Sequence, residues 1–426
     1  MADSISIEAV TEEQEEPLER QMFQLTDFVG NHNKFYMVEL WPAPDGMVRL
    51  KTSWGRVGSK PQVSEKVLHR HHVDRQIAEK MRKGYRRIDL HRPELVLEPA
   101  GEDQKPLPRR DPKVEQLVEW IYTEAGEHIR SFLAVEIEAL SQAQIAEGRR
   151  LLRDAQGEYS SYRSAPLERS KKLLAATVQA YYNAIPTKLP ARLDPEQVVI
   201  EFCKQFSEQE DRLLQLEAAI ATIKVQRQHP GFDPYETLGA EIIPLSQDDH
   251  AHKSLSEYIT GTQVHGYALR IKDIFEVRIA EERERYERNS RGISHRELLF
   301  HGTRNQNVRH ILRQGLICPS TPAHGRMLGN GIYLANKSTK SSNYCLSSRP
   351  TVPCMLLIVE AALGNRYVAP EMALLNEPPI GYDSVWGKAG VTRITPLHAL
   401  MNDEFVVYSP SQQTIRYLVT FEPGVS

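Results

Sequence analysis

The apolar residues of this 426-residue chain change their spacing twice, and both changes fall at proline-marked segments. Within residues 30–57, Phe35, Met37, Val38, Leu40 and Trp41 precede a Pro44-Asp45-Gly46 turn, after which Val48 and Leu50 alternate with Arg49 and Lys51. That is the period-two signature of paired strands. From Lys113 to about Arg227 the spacing lengthens: Val114, Leu117, Val118 and Ile121 stand at i, i+3, i+4 and i+7, and similar stripes recur around Leu151-Leu152, Leu173-Leu174 and Leu213 to Ile220. Beyond Pro230 short β-type runs return at 264–277, 297–300, 331–335, 355–363, 404–408 and 415–421, separated by Gly and Pro turns. No single layer satisfies all three patterns. The expected fold is therefore multidomain: a small α+β domain, an all-α helical bundle and an α+β domain built on antiparallel sheet.

Boundaries follow from composition. An acidic disordered tail is expected over 1–25, because Met1 to Arg20 holds seven acids and one base. The small α+β domain is assigned to 26–97, with a basic amphipathic helix from about Val73 to Lys83. Four prolines and many charges mark 98–112 as a linker. The bundle is assigned to 113–228, with Ser141 at an N-cap and Asp194-Pro195 before the last helix, and the second α+β domain to 229–426.

The net charge of −3 conceals opposed local biases. Between Arg49 and Arg92, thirteen Lys and Arg face only Glu65, Asp74, Glu79 and Asp89. Such an excess reads as a surface for a polyanion. Cys203, Cys318, Cys345 and Cys354 are scattered, with no C-x-x-C pair, so neither a disulfide frame nor a metal site is expected. No run approaches the roughly 20 apolar residues of a membrane helix, and the acidic start is unlike a secretory signal. An intracellular protein with no membrane partner is expected.

Three residues of the last third stand on strand-like sequence beside glycine or turn residues: His301, Tyr333 and Glu404. Singly, each is more often ordinary packing. Together, a histidine, an aromatic and a carboxylate converging on one cleft can grip a nucleotide and steady a cationic sugar.

Their flanks carry a resemblance. Leu298-Leu299-Phe300-His301-Gly302-Thr303-Arg304, Gly329-Asn330-Gly331-Ile332-Tyr333-Leu334-Ala335, Lys340-Ser341-Ser342-Asn343-Tyr344-Cys345 and Asn402-Asp403-Glu404-Phe405-Val406-Val407-Tyr408 resemble, in order and spacing, the catalytic domain of the poly(ADP-ribose) polymerases. Ser53-Trp54-Gly55-Arg56 resembles the WGR domain, and residues 111–228 resemble the helical regulatory domain of the DNA-dependent members; no zinc-finger module precedes them. The resemblance implies NAD+ as substrate, with no metal. It puts the carboxamide of NAD+ on the Gly302 backbone and the Ser341 hydroxyl, and stacks Tyr344 on the nicotinamide ring. Tyr333 lines the pocket, His301 holds the adenosine ribose, and Glu404 binds the nicotinamide ribose and orients the acceptor. Glycine at 302 also suits close approach of a ligand to the backbone.

Glu404, with Lys340 and Met327 on the acceptor side, matches the chain-extending pattern. Arg326 stands where tyrosine is common, and Ile317 where some members have arginine. Asp211 matches an acidic position on the adenosine side, whereas Gln215 replaces a second acid. Trp54, Arg56 and Lys51 are the expected DNA contacts, with Arg56 on phosphate or on the helical domain, and the neighbouring lysines and arginines, Lys80 among them, as phosphate contacts. The resemblance thus implies a poly-ADP-ribosyltransferase switched on by DNA strand breaks bearing 5′ phosphates, modifying acceptor proteins including itself, with the helical domain as a lid. It implies the nucleus if the source is eukaryotic, the cytoplasm or nucleoid if bacterial. Two competing readings are a mono-ADP-ribosyltransferase of protein or DNA ends, and a catalytically weak DNA-end scaffold.

Overall fold

The computed structural model describes residues 17–88 except 29 and 58, 110–228 except 191 and 193, 233–320, 326–346 and 353–425. Residues 1–16 of the expected acidic tail and 98–109 of the expected linker lie outside them.

The amino-terminal sheet has five strands, β1 (Glu19–Asp27), β2 (His32–Pro42), β3 (Val48–Arg56), β4 (Gln62–Leu68) and β5 (Arg86–Ile88), in the order β4-β3-β2-β1-β5, with every pairing antiparallel. Helix α1 (Arg70–Arg82) begins three residues earlier than expected and seats Val73 against Phe23, Tyr36, Val38, Leu40 and Leu50. The expectation of a disordered tail through residue 25 is corrected: residues 19–25 form most of β1, an interior strand. Its sequence hides this because both faces are buried, one in the sheet's own core and the other through polar Gln24 and Thr26, so no clean alternation survives.

Five helices follow: α2 (Pro112–Phe132), α3 (Gln142–Ser164), α4 (Glu168–Ala184), α5 (Pro195–Lys204) and α6 (Phe206–Gln228). Their starts are written in the sequence. Asp111 accepts from Lys113 N ahead of Pro112, Ser141 and Gln144 form a reciprocal capping box, and Asp194 accepts from Glu196 N and Gln197 N. Asp194-Pro195 opens the penultimate helix rather than the last, because the backbone leaves helical geometry at Gln205 before α6 resumes.

The α2 stripe does not serve the bundle alone. Ile129 and Phe132 join the bundle core, but Val114, Leu117, Val118 and Ile121 enter the core of the carboxy-terminal domain beside Phe275, Val308 and Leu312. Burying each such side chain contributes roughly 1.5–3 kcal/mol as an upper estimate. Helix α2 therefore ties two domains together.

The carboxy-terminal domain adds β6 (Glu241–Pro244), α7 (His250–Gly261), β7 (Tyr267–Arg278), α8 (Ala280–Asn289), β8 (Arg296–Gly302), α9 (Asn305–Gln314), β9 (Ile332–Leu334), α10 (Ser338–Ser342), β10 (Cys354–Ala362), β11 (Arg366–Val368), β12 (Ser384–Gly387), β13 (Arg393–Thr395), β14 (His398–Ala399), β15 (Glu404–Val407) and β16 (Gln413–Val425). One sheet runs β6-β7-β16-β10-β8, all antiparallel, and a second runs β11-β12-β15-β9. The two are stitched where Phe300 and Ala335 exchange backbone hydrogen bonds of 2.8 and 3.0 Å. That stitch sets β8, β9 and β15 around one cleft.

Candidate active site

The cleft has a volume of about 450 Å³ and opens between the carboxy-terminal domain and the lid-like face of α6. His301, Gly302, Tyr333, Lys340, Ser341, Tyr344, Glu404 and Asp211 all line it. Met327, expected on the acceptor side, is not among the lining residues; its carbonyl accepts from Ala373 N at 3.0 Å, holding it to a neighbouring loop.

Glu404 opens β15, whose next three residues are buried. The carboxylate is itself almost fully buried, and Oε1 pairs with Lys340 Nζ at 2.8 Å. Oε2 has no hydrogen-bond partner. A buried carboxylate oxygen left unpaired in a cleft wall is costly unless a ligand satisfies it. Burial opposes the Lys340 ammonium, but the bond and charge of Glu404 outweigh it, and the net effect raises the lysine above its usual range. Lys340 also approaches the Tyr344 hydroxyl at 3.4 Å and stands 5.3 Å from its ring centroid. With half its surface exposed, the Tyr344 ring offers a face for stacking.

Tyr333 is fixed at its hydroxyl, which donates to the Gly329 carbonyl at 2.9 Å and accepts from Leu328 N at 2.8 Å. Burial pushes its ionisation well above the usual range, so it stays a neutral phenol. His301 Nδ1 lies 3.0 Å from the Tyr333 carbonyl. That oxygen can only accept, so Nδ1 carries the proton and Nε2 is left as an acceptor. Burial lowers the imidazole below its usual range, the carbonyl bond opposes this, and Arg326 adds to it. A neutral, oriented histidine suits hydrogen bonding to a sugar hydroxyl better than proton transfer.

Glycine at 302 has a different cause from the one expected. A Cβ there would lie 1.7 Å from the Ser341 carbonyl oxygen, so it is the protein's own α10 backbone that requires glycine, not a ligand. Ser341 Oγ donates to the Phe300 carbonyl at 3.0 Å, completing this β8–α10 junction. Gly329 has φ +94 and, like Gly331, meets neighbouring backbone closely, which allows the turn before β9 to pack under Tyr333.

Helix α9 escaped the reading of the sequence. Its apolar stripe is only Val308, Ile311 and Leu312 at i, i+3 and i+4, and polar Asn305, Asn307, Arg309 and His310 are buried beside it. The signal available was a Gly-Thr-Arg turn followed by Asn-Gln-Asn and an Ile311-Leu312 pair before Gly315. Asn307 is the hub of the seam with α6: its amide donates to Asp211 Oδ2 at 3.2 Å and to Thr303 Oγ1 at 3.1 Å, and its oxygen accepts from Gln215 Nε2 at 2.6 Å. Burial pushes the Asp211 carboxyl up to about 6, with Asn307 and Arg326 opposing the rise. Arg309 reinforces the seam, bonding Thr222 Oγ1 at 2.6 Å and standing 4.4 Å from the Tyr122 ring centroid. From α2, His128 also reaches the cleft, and burial with the Arg212 charge lowers its imidazole to about 4.

The three expected DNA contacts do not converge. Trp54 is half-buried against the α1-side core, whereas strand alternation puts Lys51 on the opposite sheet face from Leu50, Thr52 and Trp54. Arg56 makes the helical-domain contact that was one of its two expected roles: it donates to the Asn31 carbonyl and side chain at 3.2 Å and to the Pro190 carbonyl at 3.1 Å. Lys80, expected among the phosphate contacts, is half-buried, its ammonium 4.2 Å from the Tyr36 ring centroid and 5.3 Å from that of Tyr85. Lys60, Lys66, Arg82, Arg86 and Arg87 remain exposed. Beside Arg56, Gln24 donates to the Tyr182 carbonyl at 3.3 Å, and Thr26 N and Phe28 N donate to Asn183 and Gln179 of α4.

No described helix is long and apolar enough to cross a membrane. Residues 19–91 match the family model of the WGR domain, and 250–423 that of the poly(ADP-ribose) polymerase catalytic domain. The chain is 26% identical over 475 residues to poly [ADP-ribose] polymerase 2 of Homo sapiens, an alignment covering 93% of this chain and 78% of that protein. It is 29% identical over 280 residues to poly [ADP-ribose] polymerase 1 of Danio rerio, covering 59% of this chain and 28% of the relative. It is 24% identical over 310 residues to poly [ADP-ribose] polymerase 1 of Oryza sativa subsp. japonica, covering 66% and 31%. The chain thus spans about three tenths of the length of those two longer relatives.

Proposed function

From a chain that carries a WGR domain and a poly(ADP-ribose) polymerase catalytic domain, we propose an NAD+-dependent ADP-ribosyltransferase that builds chains on proteins, itself included, when DNA strand breaks engage its amino-terminal domain. The observation that carries this reading is the buried Glu404 carboxylate in the cleft wall, with one oxygen on Lys340 and the other left without a hydrogen-bond partner.

In the reaction the C1′–N bond of NAD+ breaks, its electron pair leaves with nicotinamide, and the ribose carbon takes on oxocarbenium character. The acceptor oxygen then bonds to C1′ and loses its proton. Glu404 Oε2 binds the nicotinamide ribose and its negative charge stabilises the developing cation; such preorganised groups are worth about 3–4 kcal/mol. Lys340 holds the carboxylate in place, Tyr344 stacks on the nicotinamide, and the Gly302–Ser341 junction meets the carboxamide. His301 Nε2 accepts from an adenosine-ribose hydroxyl. Helix α6 covers the adenosine side, and the tether from Arg56 and Gln24 to the helical region offers a route by which DNA on the sheet loosens that cover.

Incubation with labelled NAD+, with and without nicked duplex bearing a 5′ phosphate, tests the reading. Long labelled chains that depend on the DNA are expected. Absence of label sinks the enzyme, a single-unit product sinks chain building, and equal labelling without DNA sinks the lid. If the source is eukaryotic, we place the protein in the nucleus.

A further inference from the structure

Arg304, Arg326 and Lys340 supply the lysine and arginine charge along the described cleft wall. They are not equivalent. Lys340 is committed to Glu404 at 2.8 Å, and Arg304 is exposed at the head of α9. Arg326 is half-buried and stands amid the cleft, where its charge acts on His301 and Tyr333 of the wall and on Glu210 and Asp211 of α6.

Its base is anchored. The Arg326 carbonyl accepts from Gly329 N at 3.3 Å, and the Tyr333 hydroxyl holds the following Leu328 N and Gly329 carbonyl. A fixed backbone beside Tyr333 and His301 gives the guanidinium a defined reach. Its tip, in contrast, is turned to the lid: it donates to Ser207 Oγ of α6 at 3.0 Å. Glu210, one turn along α6, accepts from Ser320 N at 3.0 Å, so the lid helix grips this loop at both of its described ends.

We propose that Arg326 grips the pyrophosphate of the dinucleotide, and that α6 restrains the same guanidinium through Ser207, Glu210 and Asp211 while the cleft is covered. This rests on the reading of the cleft as an NAD+ site. A planar guanidinium presents paired donors that match a phosphate, and this one stands beside the wall that holds both ribose-facing groups. In the covered state the two α6 carboxylates supply the negative surroundings that the pyrophosphate supplies after opening. Substrate and lid thus compete for one cation, and Arg326 takes a position at which a tyrosine would offer no charge. Ile317, at the other end of the same loop, is apolar, so the positive charge has only one place on the loop ends from which to act.

The test uses the full chain with nicked 5′-phosphorylated duplex present, and measures binding of ADP-ribose, which carries the pyrophosphate, and of nicotinamide, which lacks it. Arg326→Gln is expected to weaken ADP-ribose binding by about tenfold or more while nicotinamide binding stays within about twofold, and Arg326→Lys to recover part of the loss. In turnover the same change should raise KM for NAD+ far more than it lowers kcat. Equal losses for both ligands would show that Arg326 only supports the fold, and an unchanged ADP-ribose affinity would leave it no part in recognition; either result overturns the proposal. A wild-type chain that binds neither ligand and transfers no label overturns the NAD+ reading together with this one. A wild type that transfers label while Arg326→Gln keeps its KM overturns this one alone.

Discussion

At one end of the cleft Glu404, Lys340, Ser341 and Tyr344 all come from the carboxy-terminal domain, whereas at the other Ser207, Asp211 and Gln215 of α6 meet Arg326 and Asn307 across a domain seam. The first end holds its geometry within one folded unit: a buried ion pair, a strand stitch and a backbone junction that admits only glycine. The second depends on two units staying together and on a carboxyl that burial has raised to about 6. The difference teaches where control can act. On the proposed reading, loosening the helical region would leave the Glu404 end assembled and change only the end shared with α6, so that a lid there would gate binding without dismantling the chemistry.

The largest expected effect lies at the single-domain end. Glu404→Gln should cut labelling from NAD+ by roughly a hundredfold or more while ADP-ribose binding changes little; an equally large loss of binding would mean that this end is not independent of the other. At the shared end, Asn307→Ala removes the hub of three hydrogen bonds, one buried and two partly buried. We expect labelling without DNA to rise about tenfold, since each unmade buried bond costs on the order of 1–3 kcal/mol. No rise would break the assignment of the seam as the restraint.

Arg56→Ala probes the relay. DNA stimulation of labelling should fall severalfold while affinity for nicked duplex is nearly retained; a parallel loss of affinity would return Arg56 to a phosphate. The smallest effect is on stability. Because the folded Asp211 carboxyl titrates above its ordinary value, the folded state binds more protons between about pH 4 and 6, so the Asp211 contribution weakens as pH rises through that window and stays weak above it. Asp211→Asn removes the dependence. The thermal midpoints of wild type and variant should differ little near pH 4, with the variant higher by a few degrees at pH 7, and a pH-independent gap would contradict the burial.

Much of this was legible in residue order. The changes of hydrophobic period separate the strand-rich, helical and mixed regions, Asp111-Pro112, Ser141 and Asp194-Pro195 mark helix starts through their own hydrogen bonds, and the motifs around His301, Tyr333, Lys340 and Glu404 mark residues that share one cleft. Other features were not legible. Strand β1 shows no alternation because both its faces are covered, and α9 is short, with polar residues buried beside its apolar Val308, Ile311 and Leu312. Lys80 counts as a phosphate contact in any tally of charge, yet its ammonium also stands 4.2 Å from the Tyr36 ring centroid and 5.3 Å from that of Tyr85.

Local pattern sufficed wherever a residue acts on its near neighbours, as a cap acts on the next turn or a glycine on its own backbone freedom. It could not say that Val114 to Ile121 would desert the bundle for the carboxy-terminal core, that Gly302 yields to the Ser341 carbonyl, that Arg56, expected on phosphate or on the helical domain, would settle on Pro190, or that Arg326 would be drawn to Ser207. Those partners lie 39 or more positions away in the chain, a separation read from their numbering. Contacts at such distance carry no periodic trace, and they exist only once the domains have packed and buried charge and backbone have had to find partners.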